Sequence, residues 1–220
     1  MKRFWNWSSE NDTPTLTING TIAPDSWIDD EVSPKIFQNE LNQNHGPIDV
    51  WLNSPGGDCV AASQIYTMLM SYPDDVNIKI AGIAASAASV IAMAGTKVSM
   101  APTALMMIHN PLTIAAGNRS DMAKAIQQLD ETKESIINAY EIKTGLPRGK
   151  IAALMDEQTW MNPNKAIELG FADEVLNAES VSNSYTYSER QVNLQILNKL
   201  QSNNHYPIES LKRRLFLLPH

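Results

Sequence analysis

Ser86 and His109 are the residues of this sequence best suited to chemistry. Ser86 lies between two pairs of alanines, directly after a strand pattern and at the predicted start of a helix. Small neighbours let the backbone turn sharply, and a helix N-terminus presents free N–H groups that can stabilise an oxyanion. His109 ends a buried apolar strand pattern. Because a serine hydroxyl needs an adjacent base to attack at neutral pH, the pair predicts nucleophilic catalysis.

Each of these residues also fits a purely structural role, as helix filler or as a histidine at a strand end. Ser89 is the competing serine, but three residues into the helix it should point away from the turn. A nucleophile elbow would carry glycines beside the serine, so an α/β-hydrolase is disfavoured.

Residues 56 and 57, a Gly-Gly pair, follow a strand and precede a helix. They match neither a dinucleotide-binding nor a P-loop pattern, so a phosphate site is not expected. A backbone N–H from this turn, facing Ser86, would complete an oxyanion hole. The third triad member should be a carboxylate that orients His109, and the candidates are Asp156 and Glu157 at a helix end. Acids at a helix end also fit a solvated surface.

The elements that must position these residues alternate between strands and helices. Such alternation is typical of an α/β fold with a largely parallel sheet. Strand patterns cover 15–18, 48–52, 76–80, a segment near 98, and 105–108, and helix patterns cover 59–71, 120–144, 148–157 and 163–169. The helix over 120–144 is amphipathic and about 37 Å long, more than a compact domain of this size needs. Its apolar positions are Met122, Ile126, Leu129, Ile136 and Tyr140.

Composition excludes several classes of protein. The chain has 220 residues with 43% hydrophobic and 19% charged residues, which predicts a globular domain. A net charge of −7 argues against nucleic-acid binding. Cys59 is the only cysteine, which fits a reducing compartment, and residues 80–96 are a poor membrane span. We expect a cytoplasmic protein with a flexible segment over 1–14 and a linker and extension of unknown role over 177–220.

Three short motifs resemble those of one family, the Clp protease proteolytic subunits, which are self-compartmentalising serine peptidases. Residues 53–57 (Asn-Ser-Pro-Gly-Gly) resemble its oxyanion-loop motif, 84–86 (Ala-Ala-Ser) its nucleophile motif, and 107–111 (Met-Ile-His-Asn-Pro) its histidine motif. Residues 166–173 resemble its closing segment, so the likeness spans roughly 15–176. More narrowly, residues 2–7 and the small-residue run around Ser86 resemble the phage and prophage branch, whose members are taken to be head maturation proteases.

The resemblance implies a crotonase-like (ClpP-type) α/β fold of repeated strand–strand–helix units, with 120–144 as a protruding handle helix. It implies homo-oligomeric rings, seven-membered or two such rings stacked, that enclose the active sites. Ser86 would be the nucleophile and His109 the base, and the backbone N–H groups of Gly57 and Ala87 would form the oxyanion hole. No metal or organic cofactor would be needed.

Two departures from the family pattern keep alternatives open. Aligning the closing segment without gaps puts Gln158, not an acid, at the third triad position. Either Asp156 orients His109 instead, or a glutamine does so without a charge. The segment before the first predicted strand is short, which argues against the docking of an ATP-dependent unfoldase.

The sequence therefore predicts a serine endopeptidase acting on polypeptides through an acyl-enzyme, as a phage or prophage head maturation protease. The alternatives are a housekeeping-type proteolytic subunit working with an ATP-dependent unfoldase, and a catalytically weak ring-forming assembly protein. An acyl-CoA hydratase or isomerase would share the crotonase fold but needs no nucleophilic serine. A Ser-Lys peptidase is disfavoured because Lys97 is the only lysine close downstream of Ser86.

Overall fold

One eight-stranded sheet organises the chain in the computed structural model, which describes residues 3–10, 13–22 and 33–176. The strands are β1 (Trp5–Glu10), β2 (Thr13–Asn19), β3 (Ile48–Ser54), β4 (Val76–Ala85), β5 (Lys97–Met100), β6 (Leu105–Ile108), β7 (Thr159–Met161) and β8 (Glu174–Val175). The helices are α1 (Ser33–Asn42), α2 (Cys59–Met70), α3 (Ala87–Ala92), α4 (Arg119–Thr144), α5 (Arg148–Asp156) and α6 (Pro163–Glu168). The strand order is β1-β2-β3-β4-β5-β8, while β6 pairs with β4 and β7.

Most neighbouring strands are parallel, and the predicted α/β class is confirmed. Only the β1–β2 and β6–β7 pairs are antiparallel among the described residues. The core is formed by the apolar strand faces and by small residues of α2 and α3, all six residues of α3 being buried. Only Ser86 separates the end of β4 from Ala87, the first residue of α3, so the start of this helix lies at the end of the strand.

Strand β4 determines where the candidate residues meet. Its first half pairs with β5, through Asn77–Ile80, and its second half pairs with β6, through Ile83–Ala85. The carboxyl ends of β4 and β6 therefore lie side by side. Because Ser86 follows β4 and His109 follows β6, the change of partner along one strand brings these two residues together.

The prediction of a flexible segment over residues 1–14 is wrong for residues 5–10, which form β1, and for residues 13–14, which begin β2. Phe4 and Trp5 are buried in the core, and the Trp5 ring stacks edge-on against Phe37. The Trp5 indole also donates to Glu40. Aromatic residues recover enough apolar contact to order a segment that looks polar by average composition.

Helix α4 has two different halves. Asn118 and Asp121 form a capping box at its start, and Gly145, with φ of 67°, ends it in a left-handed conformation. The predicted apolar positions Ile136 and Tyr140 are buried, whereas Ile126 is 60% exposed. Only the C-terminal half of this helix thus packs on the body of the domain.

The predicted linker and extension over 177–220 lie outside the described residues. Within the described part of the chain, none of the helices is both long and apolar enough to cross a membrane.

Candidate active site

The Ser86 turn is a strained link between β4 and α3. Ser86 has φ of 56° and ψ of −127°, a conformation that residues with a Cβ adopt only at a cost. Its N–H donates to the Met107 carbonyl at 2.9 Å, which fixes the turn against β6. Alanines 85 and 87 are buried on either side. Such strain persists where the surroundings over-determine it, which is typical of nucleophile turns.

His109 lies in direct contact with Ser86. Its Nε2 is 2.7 Å from the Ser86 Oγ, a normal hydrogen-bond distance for a nucleophile and its base. Burial lowers the pKa of the His109 imidazole from its usual 6.5. The neutral ring is therefore favoured at pH 7, and with Nε2 unprotonated it can accept the hydroxyl proton. The predicted Ser86–His109 pair is present in the structure.

The Gly-Gly turn packs directly against the Ser86 turn. A Cβ added at Gly56 would lie 2.6 Å from the Ala85 carbonyl oxygen and 3.0 Å from the Ala87 nitrogen. On the other side, Gly57 has φ of 152°, and a Cβ there would lie 1.9 Å from the Ile22 carbonyl oxygen. Two glycines are thus required by close backbone approach on both faces of this loop.

Two backbone N–H groups are free to bind an oxyanion in this arrangement. The bridge between Ile22 and the loop uses the Ile22 and Asp58 N–H groups, leaving that of Gly57 outside it. Ala87 is the first residue of α3, where N–H groups lack intrahelical acceptors. Within residues 3–10, 13–22 and 33–176, neither Gly57 N–H nor Ala87 N–H is engaged in a hydrogen bond.

The third side of the site differs from the predicted triad. Asp156 Oδ1 accepts hydrogen bonds from Asn110 Nδ2 at 2.9 Å and from Lys133 Nζ at 2.6 Å. The hydrogen bonds from Lys133 and then Asn110 lower the pKa of the Asp156 carboxyl. No hydrogen bond joins Asp156 to His109 among the described residues, so the structure brings Asp156 to the residue next to His109.

Gln158 directly precedes β7, the strand that pairs with the end of β6. Strands β6 and β7 are antiparallel and their pairing ends with Ile108 opposite Thr159, so His109 and Gln158 are the next residues beyond the paired ends. Gln158 has φ of 49°, and with Ser86 it is one of two non-glycine residues with positive φ in the described part of the chain. Gln158 is exposed, and like Asp156 it forms no hydrogen bond with His109 among the described residues.

Ser89 does not belong to the site. It is fully buried, and its hydroxyl lies 2.8 Å from the Tyr140 hydroxyl, in the contact between α3 and α4. Its Oγ also donates to the Ser86 carbonyl oxygen at 2.5 Å, so Ser89 lies outside the cleft but contacts the backbone of the Ser86 turn, and the expectation that it points away from the turn is wrong.

A cleft of about 290 Å³ opens over Ser86 and His109. Its rim carries exposed apolar side chains, among them Val60 (71% exposed) and Leu112 (55% exposed). Gln128, Leu129 and Thr132 of α4 form the opposite wall. Sequence reasoning missed these lining residues, and the alternation Leu112-Thr113-Ile114 was the one available signal of an extended rim. No group of His, Cys, Asp or Glu within the described ranges could hold a metal ion.

Comparison with known proteins agrees with this geometry. A family model described as Clp protease matches residues 12–179. The ATP-dependent Clp protease proteolytic subunit of Bdellovibrio bacteriovorus is 31% identical over 168 residues, which cover 74% of this chain and 79% of that protein. The proteolytic subunit 2 of Thermobifida fusca is 32% identical over 155 residues, covering 68% of this chain and 76% of that protein. Subunit 1 of Protochlamydia amoebophila is 28% identical over 160 residues.

Proposed function

Because the chain belongs to the Clp protease family, as a ClpP-like serine peptidase, we propose that it is the proteolytic subunit of an ATP-dependent Clp protease. The observation that carries the proposal is the 2.7 Å contact between His109 Nε2 and Ser86 Oγ at the mouth of an apolar-rimmed cleft. A hydratase or isomerase of the same fold class would not need this contact.

Peptide hydrolysis would proceed through an acyl-enzyme on Ser86. As the Ser86 Oγ attacks the scissile carbonyl carbon, His109 Nε2 takes the hydroxyl proton, and the carbonyl oxygen becomes an oxyanion held by the N–H groups of Gly57 and Ala87. His109 then protonates the leaving amine as the C–N bond breaks. His109 then deprotonates a water molecule that attacks the ester carbonyl, and it passes that proton to the departing Ser86 Oγ as the carboxylic acid is released.

Gln158 is our choice for the third position, because it directly precedes β7 where that strand pairs with the end of β6, and His109 directly follows β6. Its amide oxygen can accept a hydrogen bond from the imidazole and so orient the ring. An amide cannot stabilise the imidazolium as a carboxylate does, so the chemical step should be slower than with an acid at this position. Asp156, the alternative orienting acid, is occupied by Asn110 and Lys133.

The exposed half of α4 supports a handle helix that joins rings in a homo-oligomer. Ile126 is 60% exposed there, and Met122 and Leu129 lie on the same stripe, only partly covered. An apolar stripe on a protruding helix is stabilised when a second copy covers it. The proposal includes the crotonase-like repeat of strand–strand–helix units and a seven-membered ring.

The proteins to which the chain is similar favour a partnership with an ATP-dependent unfoldase over phage head maturation. Their names describe proteolytic subunits of ATP-dependent Clp proteases. Part of the segment that suggested a phage branch has a structural role, since Phe4 and Trp5 lie in the core. Degradation of a folded substrate that requires an unfoldase and ATP would support the partnership, and cleavage limited to capsid precursors would support head maturation. A cytoplasmic location is part of the same proposal.

Labelling with a fluorophosphonate probe, read by intact mass and by rate, tests the proposed chemistry. Wild type should gain one adduct and Ser86→Ala none, with peptidase activity falling by about 10⁴-fold or more. Ser120→Ala is the matched control, since Ser120 is an exposed serine at the start of α4 that should not be needed for labelling. Unchanged labelling and activity in Ser86→Ala would contradict the proposal. No adduct on a folded wild-type ring would indicate a catalytically weak assembly protein.

A further inference from the structure

We propose that Asp156 is a positioning residue that holds Asn110, and through it the end of β6 that carries His109, with Lys133 fixing the Asp156 carboxylate. The inference rests on the proposed function of Ser86 and His109. It gives the predicted acid a role in the reaction without placing it against the imidazole.

Three elements meet at the Asp156 carboxylate. Asn110 follows β6, Lys133 belongs to α4, and Asp156 ends α5. Both donors bind the same oxygen, Asp156 Oδ1, at 2.9 Å and 2.6 Å. A charged acceptor makes these hydrogen bonds stronger than neutral ones of the same length. The strand end beside His109 is therefore tied to two helices through one oxygen atom.

Until a hydrogen bond to Gln158 forms, the orientation of the His109 imidazole depends on its backbone and on Ser86. Its one side-chain hydrogen bond among the described residues is the contact with Ser86. The Asn110 amide also has few restraints. Its Nδ2 donates to Asp156, while its Oδ1 is buried and finds no partner in the described part of the chain. Pro111 restricts the backbone of Asn110. A change in the position of Asn110 would consequently move the histidine relative to Ser86.

Asp156 is itself held from both ends of its helix. At the start of α5, Arg148 pairs with Glu134 and Glu141 of α4, and at its end Asp156 pairs with Lys133. Helix α5 is thus fixed against α4 by ionic contacts at its first and last residues. The Lys133 side chain is 23% exposed and that of Asp156 57% exposed.

The exposure of the Asp156 carboxylate makes a role in positioning distinguishable from a role in folding. An ion pair whose carboxylate is more than half exposed contributes little to the free energy of unfolding. A displacement of about 1 Å between nucleophile and base, in contrast, can slow a reaction by about a hundredfold. Removal of the Asp156 carboxylate should therefore lower the rate much more than it lowers the melting temperature.

The test compares Asp156→Ala, Asp156→Asn and Asn110→Ala in the full chain. Asp156→Ala should reduce kcat and the fluorophosphonate labelling rate by about tenfold, with KM within about twofold of wild type and an unchanged melting temperature. Asp156→Asn keeps an oxygen acceptor for Asn110 and should recover most of the rate. Combining Asp156→Ala with Asn110→Ala should cost no more than the larger single loss, since both remove one interaction. Glu168→Ala is the matched control, because Glu168 is also an exposed acid at the last residue of a helix, α6, and lies outside the cleft.

Three results would overturn the inference. A wild-type labelling rate in Asp156→Ala would show that Asp156 positions nothing, while leaving the proposed function intact. Asp156→Asn could also prove as slow as Asp156→Ala and show a lowered acidic midpoint of the pH–rate profile. That result would make Asp156 the charged partner of His109. Absence of labelling in the wild type would contradict the proposed function and this inference together.

Discussion

The two sides of the His109 imidazole are built in different ways. On the Ser86 side, the neighbours are small, buried residues in backbone contact with each other. On the side of α5 and β7, long polar side chains are linked by hydrogen bonds and an exposed ion pair. The first side fixes atoms through the backbone and allows little substitution. We expect the second side to tolerate changes of side chain without loss of the fold.

Backbone contact makes the first side sensitive to a single methyl group. Gly56→Ala should reduce peptidase activity by about a hundredfold or more, the largest effect predicted for this comparison. The added Cβ would lie 2.6 Å from the Ala85 carbonyl oxygen, and alanine is strained at the φ of 97° found there. Neither backbone neighbour can give way without moving Ser86. Kinetics with a fluorogenic peptide, together with the labelling rate, would measure the loss.

Gly46→Ala provides the control for that substitution. Gly46 also has a positive φ, 74°, but an added Cβ there would meet nothing within 4 Å. Both variants introduce backbone strain, and only Gly56→Ala introduces the contact with the Ser86 turn. Equal activities in the two variants would contradict the claim that the close approach of these loops positions the nucleophile.

The same contrast explains what the sequence could predict. Small residues at strand ends determine local backbone geometry, so the pattern around Ser86 and residues 53–57 sufficed to predict the turn, its neighbours and most helix bounds. The sequence did not predict strand β1, because this segment is ordered by the packing of Trp5 against Phe37, 32 positions away, and no local pattern encodes that contact. The partners of Asp156 lie 23 and 46 positions away, and long side chains can choose among many such partners.

Restoring a carboxylate on the second side should raise activity. Gln158→Glu is expected to increase kcat by about tenfold, because a charge opposite His109 stabilises the imidazolium that forms during acylation. It should also raise the pKa of His109 and move the acidic midpoint of the rate profile upward. Gln127→Glu, which adds the same charge on an exposed residue of α4, is the control. If Gln158→Glu left kcat and the acidic midpoint of the pH–rate profile unchanged, the residue at position 158 would not act on the imidazole.

The smallest predicted effect is the pH dependence of the wild-type enzyme. Burial lowers the pKa of His109 below 6.5, so the imidazole stays neutral, and able to act as a base, at pH values where an exposed histidine is protonated. Labelling by the fluorophosphonate should therefore be nearly constant above pH 6.5 and fall only as the pH drops through the lowered pKa. The measurement is the labelling rate between pH 4.5 and 8, with the fraction folded followed in parallel, since the unfolded chain binds this proton more readily and stability also declines below pH 6.5. A midpoint of the labelling rate above pH 6.5 in the wild type would require a carboxylate acting on His109. In that case the side of α5 and β7, and not burial, would control the pKa of His109.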